Sequence, residues 1–181
     1  KIDDIHQHKL LPGGLRIVPF YDRIELITSA LNTVYKALFE GVVLVVVVLF
    51  LFLGNVRSAL IVTATLILTP LATFIVMDRV GLTANLMSLG GLAIAIGLMV
   101  DGSVVVVENA FLQLGRKAQS GESQLRIILH AVVEVATPVI FGVGIIILVF
   151  LPLMTLQGME GKMFAPLAYT IAIALAISLI L

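Results

Sequence analysis

Five stretches of this chain are apolar on every side and long enough to cross a hydrocarbon layer, and that feature constrains the fold more than any other. A spanning helix needs about 20 mainly apolar residues. The runs over 36–54, 58–77, 82–114, 132–157 and 164–181 meet that requirement. A helix on the surface of a soluble domain carries one apolar stripe, whereas these runs are apolar all round. The composition agrees. Of 181 residues, 60% are hydrophobic and only 12% are charged, and the mean hydropathy is +1.18. The sequence therefore predicts an all-α integral membrane fold, a bundle of about five transmembrane helices.

The links between the runs are short. Residues 54–57 join the first two and 78–81 the next two, so consecutive spans should be antiparallel neighbours. The longest link, 115–124, is polar and carries Arg116 and Lys117. Basic residues in short loops mark the cytoplasmic side. Arg57, Arg116, Lys117 and Arg126 fall on one side and Arg79 and Lys162 on the other, which makes the first side cytoplasmic. The segment 1–23 is different in kind: Pro12, Gly13 and Gly14 make a turn, 16–19 suits a short strand, and the whole resembles the tail of a soluble domain. Residues 24–181 form the membrane part, and 21–34 should be an amphipathic helix leading into the first span. The chain starts without Met, lacks a signal peptide at its front and stops in mid-run at Leu181, so the sequence suggests a piece of a longer protein.

The chemistry centres on Asp101. It follows a charge-free run over 80–100, and a carboxylate at such a depth costs about 2.5–3.5 kcal/mol on insertion scales. An apolar medium disfavours the charged form. A carboxyl held there is suited to load and release a proton, as coupling to a proton gradient requires. Glu108 lies seven residues on, two helical turns and about 10 Å away on the same face. Gly90 and Gly97 lie near that stripe and Gly102 sits beside Asp101. Small residues let a neighbouring helix approach and leave room for water. Asp101 as mere structural glue, paired to a basic residue, is the blander alternative, and for Glu108 a position at the headgroups is an equal one.

Other residues carry weaker signals. His6 and His8 would share one face of a strand, as a metal site needs, although a solvated polar segment explains them more simply. His130 and Glu134, four apart, suit an interfacial hydrogen bond, and Glu40 also reads as interfacial. Met87 and Met99 share the Asp101 helix, and Met154, Met159 and Met163 surround the last turn. Thioethers are soft ligands for Cu(I) or Ag(I), and equally they are ordinary apolar filling. Pro70, Pro138 and Pro152 sit inside spans, where they kink helices. The absence of cysteine removes thiolate metal sites and a Cys nucleophile. The balance of 11 basic and 11 acidic residues gives no field for nucleic acid.

Three separated segments carry a family resemblance. The run GGLAIAIGLMVDGSVVVVEN over 90–109 resembles the fourth transmembrane helix of resistance–nodulation–division (RND) efflux pumps. LPGGLRIVPFYDRIELI over 11–27 looks like the approach to their second helix. FLPLMTLQGMEGKMFAPLA over 150–168 resembles the heavy-metal branch, the cobalt–zinc–cadmium and copper–silver exporters. The resemblance implies helices two to six of a twelve-helix pump, preceded over 1–23 by the end of the periplasmic porter region. It implies a homotrimer in the bacterial inner membrane, working with a periplasmic adaptor and an outer-membrane channel. The implied reaction exchanges protons for heavy-metal cations (Zn, Co, Cd, Ni, Cu or Ag) as substrate, with no cofactor. Asp101 matches the family's proton-relay aspartate, and Glu108 matches an acid of the metal branch by position.

Departures bear on the branch and the ion. Drug exporters have two adjacent aspartates, and Gly102 occupies the second position here. Some divalent-metal members place an acid six residues before the relay aspartate, where this chain has Ala95. Met87 and Met99 resemble the paired methionines of copper–silver members, but Val106 and Leu175 stand where more would be expected. The competing readings are an RND-type drug or lipid exporter and a membrane module without coupling. An intramembrane aspartyl protease needs two facing aspartates in spans, and only Asp101 is available.

Overall fold

The computed structural model describes residues 23–52, 55–117 and 123–181. Their regular structure consists of five α-helices: α1 (Arg23–Phe52), α2 (Val56–Arg79), α3 (Leu86–Lys117), α4 (Gln124–Met154) and α5 (Gly158–Ser178). All five are long and apolar enough to cross a membrane, so the expected all-α membrane bundle is what the chain forms. The chain divides into two compact units, 1–33 and 34–181. Of the first, the described residues are 23–33, the exposed opening turns of α1. The strand expected over 16–19 and the His6–His8 pair lie outside the described residues.

The helices outrun the apolar stretches that announce them. α1 begins at Arg23, inside the helix expected over 21–34, while α4 begins at Gln124 and α5 at Gly158, ahead of the apolar runs from 132 and 164. Hydropathy reports the thickness of the apolar layer, whereas the i→i−4 ladder continues beyond it wherever the backbone can keep bonding. The amphipathic segment over 21–34 is accordingly continuous with the first span from Arg23 onward.

Local chemistry sets the ends that matter for the site. α2 stops in a Schellman turn, with Leu82 N donating to Met77 O at 2.9 Å and Gly81 N to Asp78 O at 3.2 Å. Gly81 sits at φ +72°, a left-handed value open to glycine at little cost. α3 then starts on a reciprocal cap. Ser88 N donates to Asn85 Oδ1 at 2.9 Å and Asn85 N donates to Ser88 Oγ at 2.8 Å, satisfying two otherwise free donors. Prolines interrupt α2 at Pro70, α4 at Pro138 and Pro152, and α5 at Pro166. α3 contains none.

α3 is the hub of the second unit and packs on α2, α4 and α5. The core gathers Leu66 of α2, Leu92, Ala95, Ile96 and Met99 of α3, Val143 of α4, and Ile171, Ala174 and Leu175 of α5. α2 and α5 also meet directly, where the buried Thr170 hydroxyl donates to Met77 Sδ at 3.7 Å and to Pro166 O at 2.7 Å. α1 leans on this core through the half-buried Leu38, Val42, Val45 and Val46. Outward faces are aliphatic along α1, α2 and α4, as contact with lipid tails requires.

Packing in such a core contributes through close contact rather than through transfer from water, because lipid is as apolar as leucine. Leu175 has no exposed surface. Leu175→Ala should therefore cost near the low end of a core truncation, about 2 kcal/mol. Thermal unfolding of the full-length protein in detergent would measure it, and an unchanged midpoint would contradict the packing described here.

Candidate functional site

The reciprocal cap at Asn85 and Ser88 sets where α3 begins, and an unbroken helical ladder carries the chain to Asp101 at the midpoint of its 32 residues. Around the helix, Ser88, Leu89, Leu92, Ala95, Ile96 and Met99 are buried. Ile94, Gly97, Asp101, Val105, Glu108 and Leu112 are exposed, at steps of three and four residues. That spacing draws one continuous stripe along the helix. The two acids share it, as their seven-residue spacing requires. Both carboxylates face away from the described bundle, and among the described residues neither has a hydrogen-bonding or ion-pairing partner.

The glycines divide into two groups. Gly90 and Gly97 face open space, with nothing within 4 Å of a Cβ built on either. They line a cavity of ≈ 400 Å³ between α1 and α3, across from Ala37, Gly41 and Val45. Beside Gly102 a built Cβ would rest in ordinary contact with Val139 Cγ1 at 3.5 Å. The close helix crossing falls at Gly91, where a built Cβ would stand 2.6 Å from the Leu167 carbonyl oxygen of α5. Gly91 is adjacent in sequence to Gly90 but turned about 100° from it, and only the position of α5 distinguishes the two.

Met87 is half-buried near the start of α3 and Met99 lies in the core. Twelve residues separate them, about 18 Å along the helix axis, so they do not meet around one ion. Met77 is buried against Thr170. Among the described residues no three His, Cys, Asp or Glu side chains come together as a metal site. Glu40 pairs with Lys36 at 3.8 Å on the exposed side of α1.

Polar contact between α3 and α4 converges on Glu134. Asn109 Nδ2 donates to Ala131 O at 2.8 Å and to Glu134 Oε2 at 3.3 Å, and Gln113 Nε2 donates to the same Oε2 at 3.1 Å. His130 is exposed one turn away. Sequence reading singled out Glu134 and missed its partners. The available signal was a pair of amides, four residues apart, in the last third of an otherwise aliphatic helix.

Five apolar helices with a carboxylate at the middle of the third define an integral membrane bundle. The chain belongs to the AcrB/AcrD/AcrF family, whose family model matches residues 1–181, and this bears out the RND resemblance. Protein HelA of Legionella pneumophila is 45% identical over 99% of this chain. The cobalt-zinc-cadmium resistance protein CzcA of Cupriavidus metallidurans is 46% identical over 96% of it. The cation efflux system protein CusA of Escherichia coli is 42% identical over 92%. Among solved structures, an X-ray structure of a heavy metal efflux pump matches with a TM-score of 0.82 and 38% identity, covering 99% of this chain. The chain spans 17% of the length of HelA and of CzcA, and 17% of that solved chain.

Proposed function

We propose that this chain is part of a proton-driven exporter of heavy-metal cations in the bacterial inner membrane. The single observation that carries the coupling is the placement of Asp101. It sits at mid-helix on the exposed stripe of α3, with Glu108 two turns along that stripe. Intramembrane acids mark ion pathways by default, because an idle one only costs insertion energy. Asp101 is the proton carrier, and Glu108 is a second station nearer the end that carries Arg116. Gly90, Gly97 and Gly102 keep the surroundings of that face thin enough for water and for helix movement.

The cargo is a cation of the Zn, Co, Cd, Ni, Cu or Ag type, a reading supported by relatives at 40–46% identity named as cobalt-zinc-cadmium resistance, nickel and cobalt resistance and cation efflux system proteins. It is substrate rather than resident metal, and no cofactor enters the reaction. Met87 and Met99, too far apart for one site, serve as successive soft contacts if the ion is Cu(I) or Ag(I). The complete protein works as a homotrimer with a periplasmic adaptor and an outer-membrane channel. Gly102, in place of a second aspartate, argues against the drug-exporting branch.

The test is metal flux in proteoliposomes containing the full-length protein. An imposed proton gradient should drive metal movement against the proton flow, and a protonophore should stop it. Flux indifferent to the gradient would remove the antiport.

A further inference from the structure

The structure assigns Glu134 a positioning role: with Asn109 and Gln113 it forms a polar clamp that fixes the rotation of α3 against α4 and so aims the Asp101–Glu108 face. The inference rests on the proton-relay reading above and deepens it.

The need for a clamp follows from the kind of contact that holds α4. Of its 31 residues only Ile127, Ala131 and Val143 are buried, and the facing side chains are aliphatic. Aliphatic ridges exchange neighbours at small cost, and in lipid there is no hydrophobic drive to favour one register over another. Hydrogen bonds, unlike aliphatic contacts, are directional, so they hold only where donor and acceptor keep one height and one rotation.

Three such bonds converge here. Asn109 and Gln113 occupy successive turns of the same α3 face and both donate to Glu134 Oε2, while Asn109 also donates to the carbonyl of the buried Ala131. Two donors one turn apart meeting a single oxygen define both height and rotation. Asn109 lies eight residues after Asp101, about 80° round the helix. Turning α3 by one residue would break all three bonds and swing the Asp101 face toward a packed neighbour. Glu134 acts through α3, touching neither proton nor metal.

The experiment uses the full-length protein in a metal-sensitive host, scoring resistance together with the unfolding midpoint of each purified variant. Glu134→Ala and Asn109→Ala should each lower resistance at least tenfold. The double variant should be no worse than the poorer single, since both remove one clamp. Glu134→Gln keeps an acceptor for both amides and should restore at least half of wild-type resistance. If Glu134→Ala does not accumulate, Gln113→Met, which removes one bond of three, is read instead and should lower resistance two- to fivefold.

Wild-type resistance in Glu134→Ala, or in Gln113→Met where that is read instead, overturns the clamp. So does a Glu134→Gln variant as defective as the alanine, which would show that the ionisable carboxyl itself is needed. Failure of the relay reading is visible separately: Asp101→Asn would then keep its resistance. Non-additive unfolding midpoints across the Asn109 and Glu134 variants would still report the clamp in that case, and additive ones would overturn it.

Discussion

Asp101→Asn in the full-length protein is expected to reduce metal resistance to that of the empty host, with the protein still present in the membrane at its normal level. Asparagine has the shape of aspartate and cannot release a proton, so the substitution removes one chemical capability and little volume. It should not impair insertion, because a charged aspartate at a helix centre already costs about 2.5–3.5 kcal/mol and a neutral amide costs less. Nor should it disturb packing, since Asp101 faces away from the described core and has no partner there. Loss of resistance therefore reports lost proton handling. Glu108→Gln is expected to weaken resistance without ending it. Retained resistance in Asp101→Asn would falsify the relay assignment, and the outcome is read by metal susceptibility beside membrane quantification.

Gly91→Leu is expected to prevent the folded protein from accumulating at all, and Gly91→Ala to lower its stability by about 1–3 kcal/mol. The reason is that the obstacle is backbone. A Cβ at Gly91 would meet the Leu167 carbonyl oxygen at 2.6 Å, its Cα at 3.2 Å and its carbonyl carbon at 3.3 Å. No rotamer change relieves such a contact, so α3 and α5 must separate along the most buried seam of the bundle. Gly90→Ala and Gly97→Ala serve as controls, because a methyl at either enters open space. Alanine is the better helix former, by about 1 kcal/mol, so these two should be neutral or slightly stabilising. Detergent unfolding and membrane yield measure all four. Equal tolerance at Gly90 and Gly91 would show that the crossing lies elsewhere.

The contrast between those neighbouring glycines shows what a sequence can and cannot disclose. Five spans were legible because bilayer thickness sets one length scale and the apolar runs match it. Asp101 was legible because a charge inside such a run stands out against its own neighbours. Both facts are local. Which of Gly90 and Gly91 meets another backbone depends on α5, more than 70 residues away in the chain. Glu134 likewise finds its donors 21 and 25 residues upstream, on the preceding helix. Apolar runs do not report helix ends: Gln124 lies beyond any apolar stretch, and backbone bonding continues through it. The reciprocal cap at Asn85 was readable in principle, since Asn followed three residues later by Ser places two short polar side chains where both can bond the opposite backbone.

α2, α4 and α5 each contain proline, whereas α3, like α1, has none and runs about 48 Å. A kinked helix absorbs displacement by bending at the weak point. A continuous one passes displacement on, so that a push at either tip is felt at the other. α3 is thus a stiff strut of the bundle, with a carboxylate at mid-length and its closest helix contact at Gly91.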